Sequence, residues 1–509
     1  MNRIDMHGSM QLRGLFGRLA FTAAVAIACL APQSARAHGR LKGSAPSAGA
    51  HLAQVPSEIR LDFTESPDLI FSLLRLVGQD GRDVPLGALG YAADSHRALV
   101  ARIAGAMAPG PYTVVWQMAG DDGHPVRGRL EFVIAPGAMG LGVTPSGIVA
   151  VRPSGGSNAE VDTGMAGMHH DPVSMPEGNG FGAESTVYVL IRWVQFAALL
   201  LAIGAVTFHT FVLAFIRRDP VSAAQEGEPV LLAEAETRAA AIGVASAAAL
   251  AVTLVARLTA QAYAMHGGQN PFDPALMGPM IGRTMWGWGW LLQLVGIVLA
   301  GTAFLRARAA SGARRAGSSR GPSHLWWRLA GAGAVLLAFS PGLSSHASAA
   351  PRLRALAVLA DGLHVLAASS WLGTLSIVLF AGIVVARANG TSRGGAFVRD
   401  LINAFSPVAL VSAGIAAATG VFAAWLHVGT VPNLWGTRYG ITLLVKLGVL
   451  GIVALTGFYN WRFVQPRLGT PEATTHLQRS ARVEVGVAIL VLLVTAVLVA
   501  SPTSMDIAM

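Results

Sequence analysis

The sequence predicts a small all-β sandwich of antiparallel strands, followed by an all-α polytopic membrane bundle of about eight transmembrane helices. Three observations support this prediction. Apolar and polar residues alternate with period two within residues 38–136, as in half-buried strands. From about residue 185 the chain consists of apolar runs of roughly 20 residues, the length that spans a bilayer. Hydrophobic residues make up 53% of the 509 residues and charged residues only 13%, which excludes a wholly soluble protein.

Residues 1–37 have the three-part pattern of a secretory signal peptide. Basic residues precede an apolar run over residues 19–30, and small residues follow in the A-x-A arrangement Ala35-Arg36-Ala37. We therefore predict cleavage after Ala37. The single cysteine, Cys29, lies inside this segment, so the mature chain would carry neither a thiol nor a disulfide.

Cleavage at this point predicts a metal site that begins at His38. This residue would carry a free α-amine and an imidazole, and a second imidazole and a carboxylate occur in Asp122-Gly123-His124. Residues two apart in an extended segment point to the same face, so Asp122 and His124 can approach one ion together. Such a set of nitrogen and oxygen ligands suits Cu(II) above other divalent metals. The alternative is that His38 only follows a processing site and that Asp122-Gly123-His124 is a polar turn.

The segment 38–136 has the strand and turn signals of a sandwich. Ile59, Leu61 and Phe63 alternate with polar residues, and the same alternation occurs in residues 130–134. About 100 residues can bury the core of such a fold. Further strands are predicted over residues 69–77, 97–103 and 112–118, with turn signals at Asp80-Gly81, Ala108-Pro109-Gly110-Pro111 and Asp122-Gly123.

Five motifs follow the predicted amino-terminal His in this segment. They are Ser44-Ala45-Pro46, Gly49-Ala50, Leu61-Asp62-Phe63-Thr64-Glu65, Pro109-Gly110-Pro111-Tyr112-Thr113-Val114 with Trp116, and Asp122-Gly123-His124-Pro125-Val126-Arg127-Gly128. Together they resemble CopC, the periplasmic copper-binding domain. The resemblance implies a Greek-key, cupredoxin-like sandwich with His38, Asp122 and His124 as Cu(II) ligands. The methionine cluster that some members use for Cu(I) is missing, since Met107 and Met118 are the only methionines of the domain. We expect this domain to bind Cu(II) alone.

Residues 137–184 are rich in Gly, Ser and Pro without periodicity, which is typical of a flexible linker. Within this segment Met165, Met168, His169 and His170 bring thioethers and imidazoles close together. Such soft ligands suit Cu(I), so they form a candidate Cu(I) site. The alternative is a linker that contains these residues without binding metal.

The membrane domain is predicted over residues 185–503, with a periplasmic tail over residues 504–509. Its eight apolar runs are centred near residues 199, 249, 295, 335, 368, 415, 449 and 492. Export of the sandwich would place the loops after the first, third, fifth and seventh helices in the cytoplasm. Arginines number 3, 6, 3 and 4 in those loops and 1, 2 and 1 in the other three, as the positive-inside rule requires. This distribution explains the net charge of +10 without a nucleic-acid partner.

Four ionisable residues fall near the predicted outer ends of the helices: His346, Asp361, His364 and His427. Ionisable groups are costly in a bilayer, so we interpret them as a candidate transport path. Asp361 and His364 are three residues apart and therefore on one helical face. The alternative for each is an interfacial residue that reaches water or bonds to a neighbouring helix.

Motifs in the same region resemble a second family. They are Ser345-His346-Ala347, Asp361-Gly362-Leu363-His364, Ser370-Trp371-Leu372-Gly373, Phe405-Ser406-Pro407, and Tyr439-Gly440 with Lys446 and Asn460. In this order they resemble CopD, the membrane protein usually paired with CopC. The resemblance implies copper handling at the inner membrane, with CopC supplying the metal.

These observations predict a CopC–CopD fusion in a bacterial inner membrane that binds and transports copper and contributes to copper homeostasis and resistance. Its expected partners are copper ions, the lipid bilayer and periplasmic copper chaperones, and no enzymatic activity is expected. Import is favoured because the sequence has no P-loop motif for ATP hydrolysis. This absence does not exclude a sensor or sequestration role without transport, and two further alternatives stay open. Paired histidines could hold haem in an electron-transfer protein or copper reductase. His38 could also belong to a copper-dependent monooxygenase, although Asp122 would fill a position that oxygen needs.

Overall fold

A computed structural model describes residues 41–64, 66–119, 125–139, 185–219, 228–266, 272–315, 323–344, 353–388, 391–428, 430–464 and 471–500. The chain divides into two compact units, with a boundary between residues 179 and 180. Among the described residues, the unit over residues 39–179 contains strands with one 3-10 turn, and the described residues after 180 are helical. The predicted fold class is therefore confirmed.

The β unit consists of two sheets. The first has strand order β1-β3-β7-β6 and the second has order β2-β9-β8-β4-β5. The strands are β1 Leu41–Ala45, β2 Ala50–Gln54, β3 Glu58–Phe63, β4 Leu73–Gly78, β5 Asp83–Val84, β6 Gly90–Ala92, β7 Ser95–Arg102, β8 Gly110–Ala119 and β9 Pro125–Met139.

Two details of the sandwich differ from the sequence prediction. The sandwich is not purely antiparallel, because β2 leaves the first sheet after β1 and pairs in parallel with β9. A parallel pair needs a long crossover, and most of the domain lies between these two strands. The predicted strand over residues 69–77 begins only at Leu73, since Leu69–Phe71 form a 3-10 turn. The Asp68 carboxylate caps this turn by accepting the Ile70 N–H at 2.9 Å.

The core of the sandwich follows the period-two pattern. Ile59, Leu61 and Phe63 of β3 are all buried, and their ring and aliphatic groups meet the inward residues of the second sheet. Phe63 packs edge-on against Trp116 of β8, with ring centroids 5.3 Å apart. Burial alternates along β3, so this strand faces the core with one side only, whereas in β8 Val115 and Ala119 on the other side are buried as well.

Gly128 provides a test of this packing. It lies opposite Trp116 in the β8–β9 register, and an added Cβ would stand 2.3 Å from the indole Cζ2. Because Trp116 is buried against Phe63, Gly128→Ala should lower the free energy of unfolding of the sandwich by about 1–3 kcal/mol. Urea unfolding of residues 38–136 measures this loss. Gly90→Ala in β6 is the control, since nothing lies within 4 Å of its added Cβ. Equal effects of the two substitutions would contradict this packing.

The α unit is a bundle of long helices. Of the helices in the described ranges, seven are long and apolar enough to cross a membrane, namely all those named below except α3 and α5. The helices are α1 Thr186–Arg218, α2 Glu228–His266, α3 Pro274–Arg283, α4 Met285–Arg315, α5 Ser323–Leu343, α6 Arg354–Ala388, α7 Thr391–Val428, α8 Arg438–Tyr459 and α9 Pro471–Ala500.

Helix α5 corresponds to the predicted fourth membrane span. Its 21 residues give a length of about 30 Å. Trp326, Trp327 and Arg328 in its first half lower its hydropathy. A Cβ built on Gly289 of α4 would touch the Ser340 carbonyl oxygen of α5, and a Cβ built on Gly333 of α5 would touch the Ala300 backbone of α4. Residue numbers rise along one helix as they fall along the other, so α5 runs antiparallel to α4. Helix α5 therefore packs along α4, but it is not among the seven described helices that are long and apolar enough to cross a membrane, one fewer than the predicted eight.

Helices α1 and α6 approach each other closely at a pair of glycines. A Cβ on Gly373 would lie 2.0 Å from the Leu200 carbonyl oxygen, and a Cβ on Gly204 would lie 2.3 Å from the Gly373 carbonyl carbon. Gly373 ends a π turn, Ser369–Gly373, within the Ser-Trp-Leu-Gly motif. Small residues permit such backbone contacts between membrane helices, where van der Waals packing drives association.

This contact predicts the effect of a single methyl group. Gly373→Ala should force α1 and α6 apart and lower the stability of the bundle by about 1–3 kcal/mol. Thermal unfolding of the full-length protein in detergent measures the effect. The matched control is Gly414→Ala on α7, which adds a methyl group with nothing within 4 Å. If the Gly373 variant melts like the control, the two backbones are not in contact.

Candidate metal centre

The strands β8 and β9 flank the segment that contains two predicted ligands. Ala119 pairs with Pro125, so residues 120–124 connect the strands at the tip of the hairpin. Directly below this tip, Gln117 pairs with Arg127 and accepts its Nε–H at 2.7 Å. Burial lowers the pKa of Arg127. The cross-strand hydrogen bond holds both strands in register next to the turn.

The start of β1 lies at the same end of the sandwich as this hairpin tip. Leu41 pairs with Phe63, whose ring packs against Trp116 near the end of β8. The loop after β3 also reaches the hairpin, since the Asp68 N–H donates to the Ala119 carbonyl at 2.9 Å. His38 precedes Leu41 by three residues, which can span at most about 10 Å. The described residues that border the two predicted ligand segments therefore lie at the same end of the sandwich.

The predicted ligands His38, Asp122 and His124 themselves lie outside the described residues, as do Met165, Met168, His169, His170 and His346. The methionines of the sandwich are described. Met118 is fully buried in the core, and Met107 packs against the same core. Both therefore serve packing, which agrees with the missing methionine cluster.

In the membrane unit, His364 is held by α7. Its Nδ1 lies 3.0 Å from the Ala416 carbonyl oxygen and 3.0 Å from the Thr419 hydroxyl. A carbonyl oxygen can only accept, so we assign the proton to Nδ1, which donates to Ala416. The lone pair is then on Nε2, which is the nitrogen available to a metal. The hydrogen bond to Ala416 of α7 holds the imidazole in one orientation, in which Nε2 could bind a metal ion.

Asp361 and His364 lie on one face of α6, as predicted, and two polar residues of α8 accompany them. The Asp361 carboxylate lies against α5, where a Cβ on Gly342 would be 3.3 Å from its Oδ2. It interacts electrostatically with Tyr439 and Lys446, and Lys446 also acts on His364. We call Asp361, His364, Tyr439 and Lys446 the Asp361 cluster.

His427 of α7 adjoins the Asp361 cluster through Tyr439, with ring centroids 6.3 Å apart. It does not join Asp361 and His364 in a closed site. Within the described ranges, no three His, Cys, Asp or Glu residues lie close enough to hold one metal ion. The described members of the predicted path are therefore separate contact points rather than one coordination sphere.

Sequence reasoning missed a second polar cluster, around Glu236 of α2. This carboxylate is only 1% exposed and accepts hydrogen bonds from Arg217 at 2.6 Å, Ser311 at 3.0 Å and Trp327 Nε1 at 2.9 Å. The His209 ring stacks on Trp327 at 4.2 Å. These contacts join α1, α2, α4 and α5. Glu236 sits in a run of alanines and glutamates, where nothing distinguishes it from a surface residue.

The Asp361–Lys446 interaction can be measured by a double-mutant cycle. Asp361→Asn and Lys446→Met each leave one buried charge uncompensated, whereas the double variant leaves none. We expect a coupling of about 0.5–3 kcal/mol, so that the double variant loses less stability than the sum of the single variants. Thermal unfolding in detergent gives the values. Asp361→Asn combined with Arg306→Met, at the far end of α4, should be additive. Additivity in both pairs would contradict the cluster.

Comparison with known families gives three matches along the chain. Residues 41–135 match the CopC domain. Residues 183–355 match the family described as copper resistance protein D-like, N-terminal domain, and residues 399–498 match copper resistance protein D. The first match covers the sandwich, and the other two cover most of the helical bundle.

Individual relatives agree with these matches. The copper transport protein CutJ of Bacillus subtilis is 22% identical over 474 residues, which cover 93% of this chain and 75% of that protein. Copper resistance protein C of Xanthomonas campestris pv. juglandis is 29% identical over 124 residues, 23% of this chain and 97% of that protein.

Among solved structures, the sandwich is similar to CopC from Methylosinus trichosporium OB3b, at 29% identity. The match covers 19% of this chain and 95% of that chain, with a TM-score of 0.18. A methionine-rich copper resistance protein of Escherichia coli, PcoC, is 28% identical over 19% of this chain and 99% of that chain, with a TM-score of 0.18.

Proposed function

This chain is a fusion of a CopC domain with CopD-type membrane domains, and from this premise we propose that it binds copper in the periplasm and imports it across the bacterial inner membrane. The observation that carries the proposal is the union of both domains in one chain, which the copper transport relative shares over 93% of this sequence. Copper is the cargo. The role in the cell would be copper homeostasis and resistance.

The capture step is assigned to His38, Asp122 and His124. An α-amine, two imidazoles and a carboxylate form a ligand set that Cu(II) prefers. The proposal is supported by the described strands, because the start of β1 and the paired ends of β8 and β9 lie at the same end of the sandwich. The linker residues Met165, Met168, His169 and His170 remain the candidate Cu(I) site, which requires a cellular reductant.

The capture step predicts a pH-dependent and amine-dependent affinity. Cu(II) binding requires a deprotonated amine and neutral imidazoles, so the affinity should fall as the pH drops through the range of about 6–8 in which these groups take up protons. One additional residue before His38 should weaken binding at neutral pH, because it removes the α-amine as ligand. Competition titration against a chelator of known affinity measures both effects. Unchanged affinity in the extended protein would remove the His38 α-amine from the ligand set.

Passage through the membrane unit is assigned to the Asp361 cluster and His427. A carboxylate and a fixed imidazole offer oxygen and nitrogen ligands to a copper ion, and the Lys446 ammonium compensates Asp361 when copper is absent. An arriving cation would compete with this ammonium for Asp361. Separate contact points suit a transported ion, because strong closed coordination would retain it.

The proposed import of copper needs a source of energy. No P-loop motif occurs in the sequence, so uptake would use the membrane potential or a proton gradient rather than ATP. We propose no enzymatic step. The copper ions, the lipid bilayer and periplasmic copper chaperones are the proposed partners. A Soret band in the purified protein would favour the haem alternative instead.

Copper uptake into proteoliposomes tests the whole proposal. His364→Ala should reduce uptake at least tenfold at all copper concentrations, because conduction is lost. His124→Ala should slow uptake only at low copper, because capture is lost. His324→Ala in the membrane unit and His51→Ala in the sandwich are matched controls, since both histidines are exposed outside the proposed sites. If copper enters at the wild-type rate in the His364 variant, or does not enter with any protein, the transport proposal fails.

A further inference from the structure

Two arginines are buried near the end of the bundle where α1 begins and α9 ends. Arg192 is 6% exposed and Arg257 is 3% exposed. The Arg192 guanidinium lies 4.6 Å from the centre of the Tyr188 ring, and Arg257 lies 5.8 Å from that of Trp286. The two guanidinium groups also act on each other electrostatically. Burial of two like charges is costly unless an opposite charge accompanies them.

None of the acceptors of these guanidinium groups in the described ranges is a carboxylate, and the Tyr188 hydroxyl is hydrogen-bonded to both arginines. Arg257 donates from Nη1 to Gln293 Oε1 at 2.9 Å and from Nη2 to Ser344 Oγ at 3.1 Å. Arg192 donates from Nη1 to the Val499 carbonyl at 2.9 Å. Neither arginine forms an ion pair with any carboxylate of the described ranges. The positive charge of the pair is thus uncompensated in this part of the chain.

Two further donors in the same group have no hydrogen-bond acceptor among the described residues. They are Nε of Arg257 and Nε2 of Gln293, both fully shielded from solvent. The orientation of the Gln293 amide is fixed, because its Oε1 accepts from both Arg257 and Gln195, the latter at 3.1 Å. Its Nε2 must therefore point elsewhere. Buried donors in proteins are almost always bonded, and no residue of the described ranges accepts from these two, so they mark a position where a bound acceptor would fit.

We propose that Arg192, Gln195, Arg257 and Gln293, with Tyr188, form a binding site for a small inorganic anion, of which chloride is the physiological example. The site offers hydrogen-bond donors and positive charge, and a guanidinium has no acceptor function. A water molecule would bond the donors but would leave both charges uncompensated. Trp286 and Gln293 are 1% and 0% exposed, so protein would enclose the ligand, which favours a small ion.

The bound anion would stabilise one end of the bundle. The cluster takes Tyr188, Arg192 and Gln195 from α1, Arg257 from α2 and Gln293 from α4. Ser344, which directly follows α5, is bonded to Arg257. An anion between these side chains therefore links the first helices of the membrane unit. This inference does not depend on copper transport, and its test involves no copper.

Thermal unfolding of the full-length protein in detergent tests the proposal. Chloride is exchanged for gluconate at constant ionic strength, so that only the identity of the anion changes. The melting temperature of the wild type should rise with chloride and saturate, because a ligand of the folded state stabilises it. Arg257→Met should abolish the rise. Arg306→Met should keep it, since this arginine is an exposed residue at the opposite end of α4.

A second variant covers the case in which Arg257→Met does not fold. Gln293→Glu places a carboxylate within the cluster and should replace the anion. This variant should melt in gluconate as high as the wild type does in chloride, with no further rise on adding chloride. Crystals grown in bromide should also show an anomalous peak beside Arg257 Nε. A melting temperature that is the same in chloride and gluconate, a chloride effect that persists in Gln293→Glu, or the absence of the bromide peak would each overturn the proposal.

Discussion

Glu236 is buried where four helices meet, and it accepts hydrogen bonds from Arg217, Ser311 and Trp327. The need to compensate such a buried charge determines how these helices pack in the membrane unit. A carboxylate in a low-dielectric interior is tolerated only when donors surround it. Its partners come from α1, α4 and α5, so satisfying one group fixes three helices relative to α2. The close glycine contact of α1 with α6 then extends this arrangement to the second half of the bundle.

The other buried charges follow the same requirement in two different ways. Asp361 interacts electrostatically with the buried Lys446, a cation that an arriving copper ion would replace in the proposed path. Arg192 and Arg257 instead bond to acceptors other than carboxylates and leave two N–H groups of the cluster without a described acceptor, which is why we assign an anion there. The proposed site at Asp361 would exchange cations, whereas the proposed site at Arg192 and Arg257 would bind an anion that stabilises the fold. Only the first belongs to the proposed path of copper.

The sandwich depends on packing rather than on charge. Phe63 and Trp116 join the two sheets close to the start of β1 and the tip of the β8–β9 hairpin. A rigid core at this end would hold the segments on either side of it at a constant separation, which a metal site requires. The CopC match over residues 41–135 includes this core, and the CopD-type matches cover most of the helical bundle.

The sequence alone was enough to predict the two units, the period-two strands, the helical runs and the shared face of Asp361 and His364, because these follow from local periodicity and hydropathy. It did not predict the parallel β2–β9 pair or the turn at Leu69–Phe71. Only the tertiary structure decided that Lys446 interacts electrostatically with Asp361, that Glu236 bonds to Trp327, and that Arg257 bonds to Gln293. The members of these pairs lie on different helices, and no local pattern records which distant residue compensates a buried charge.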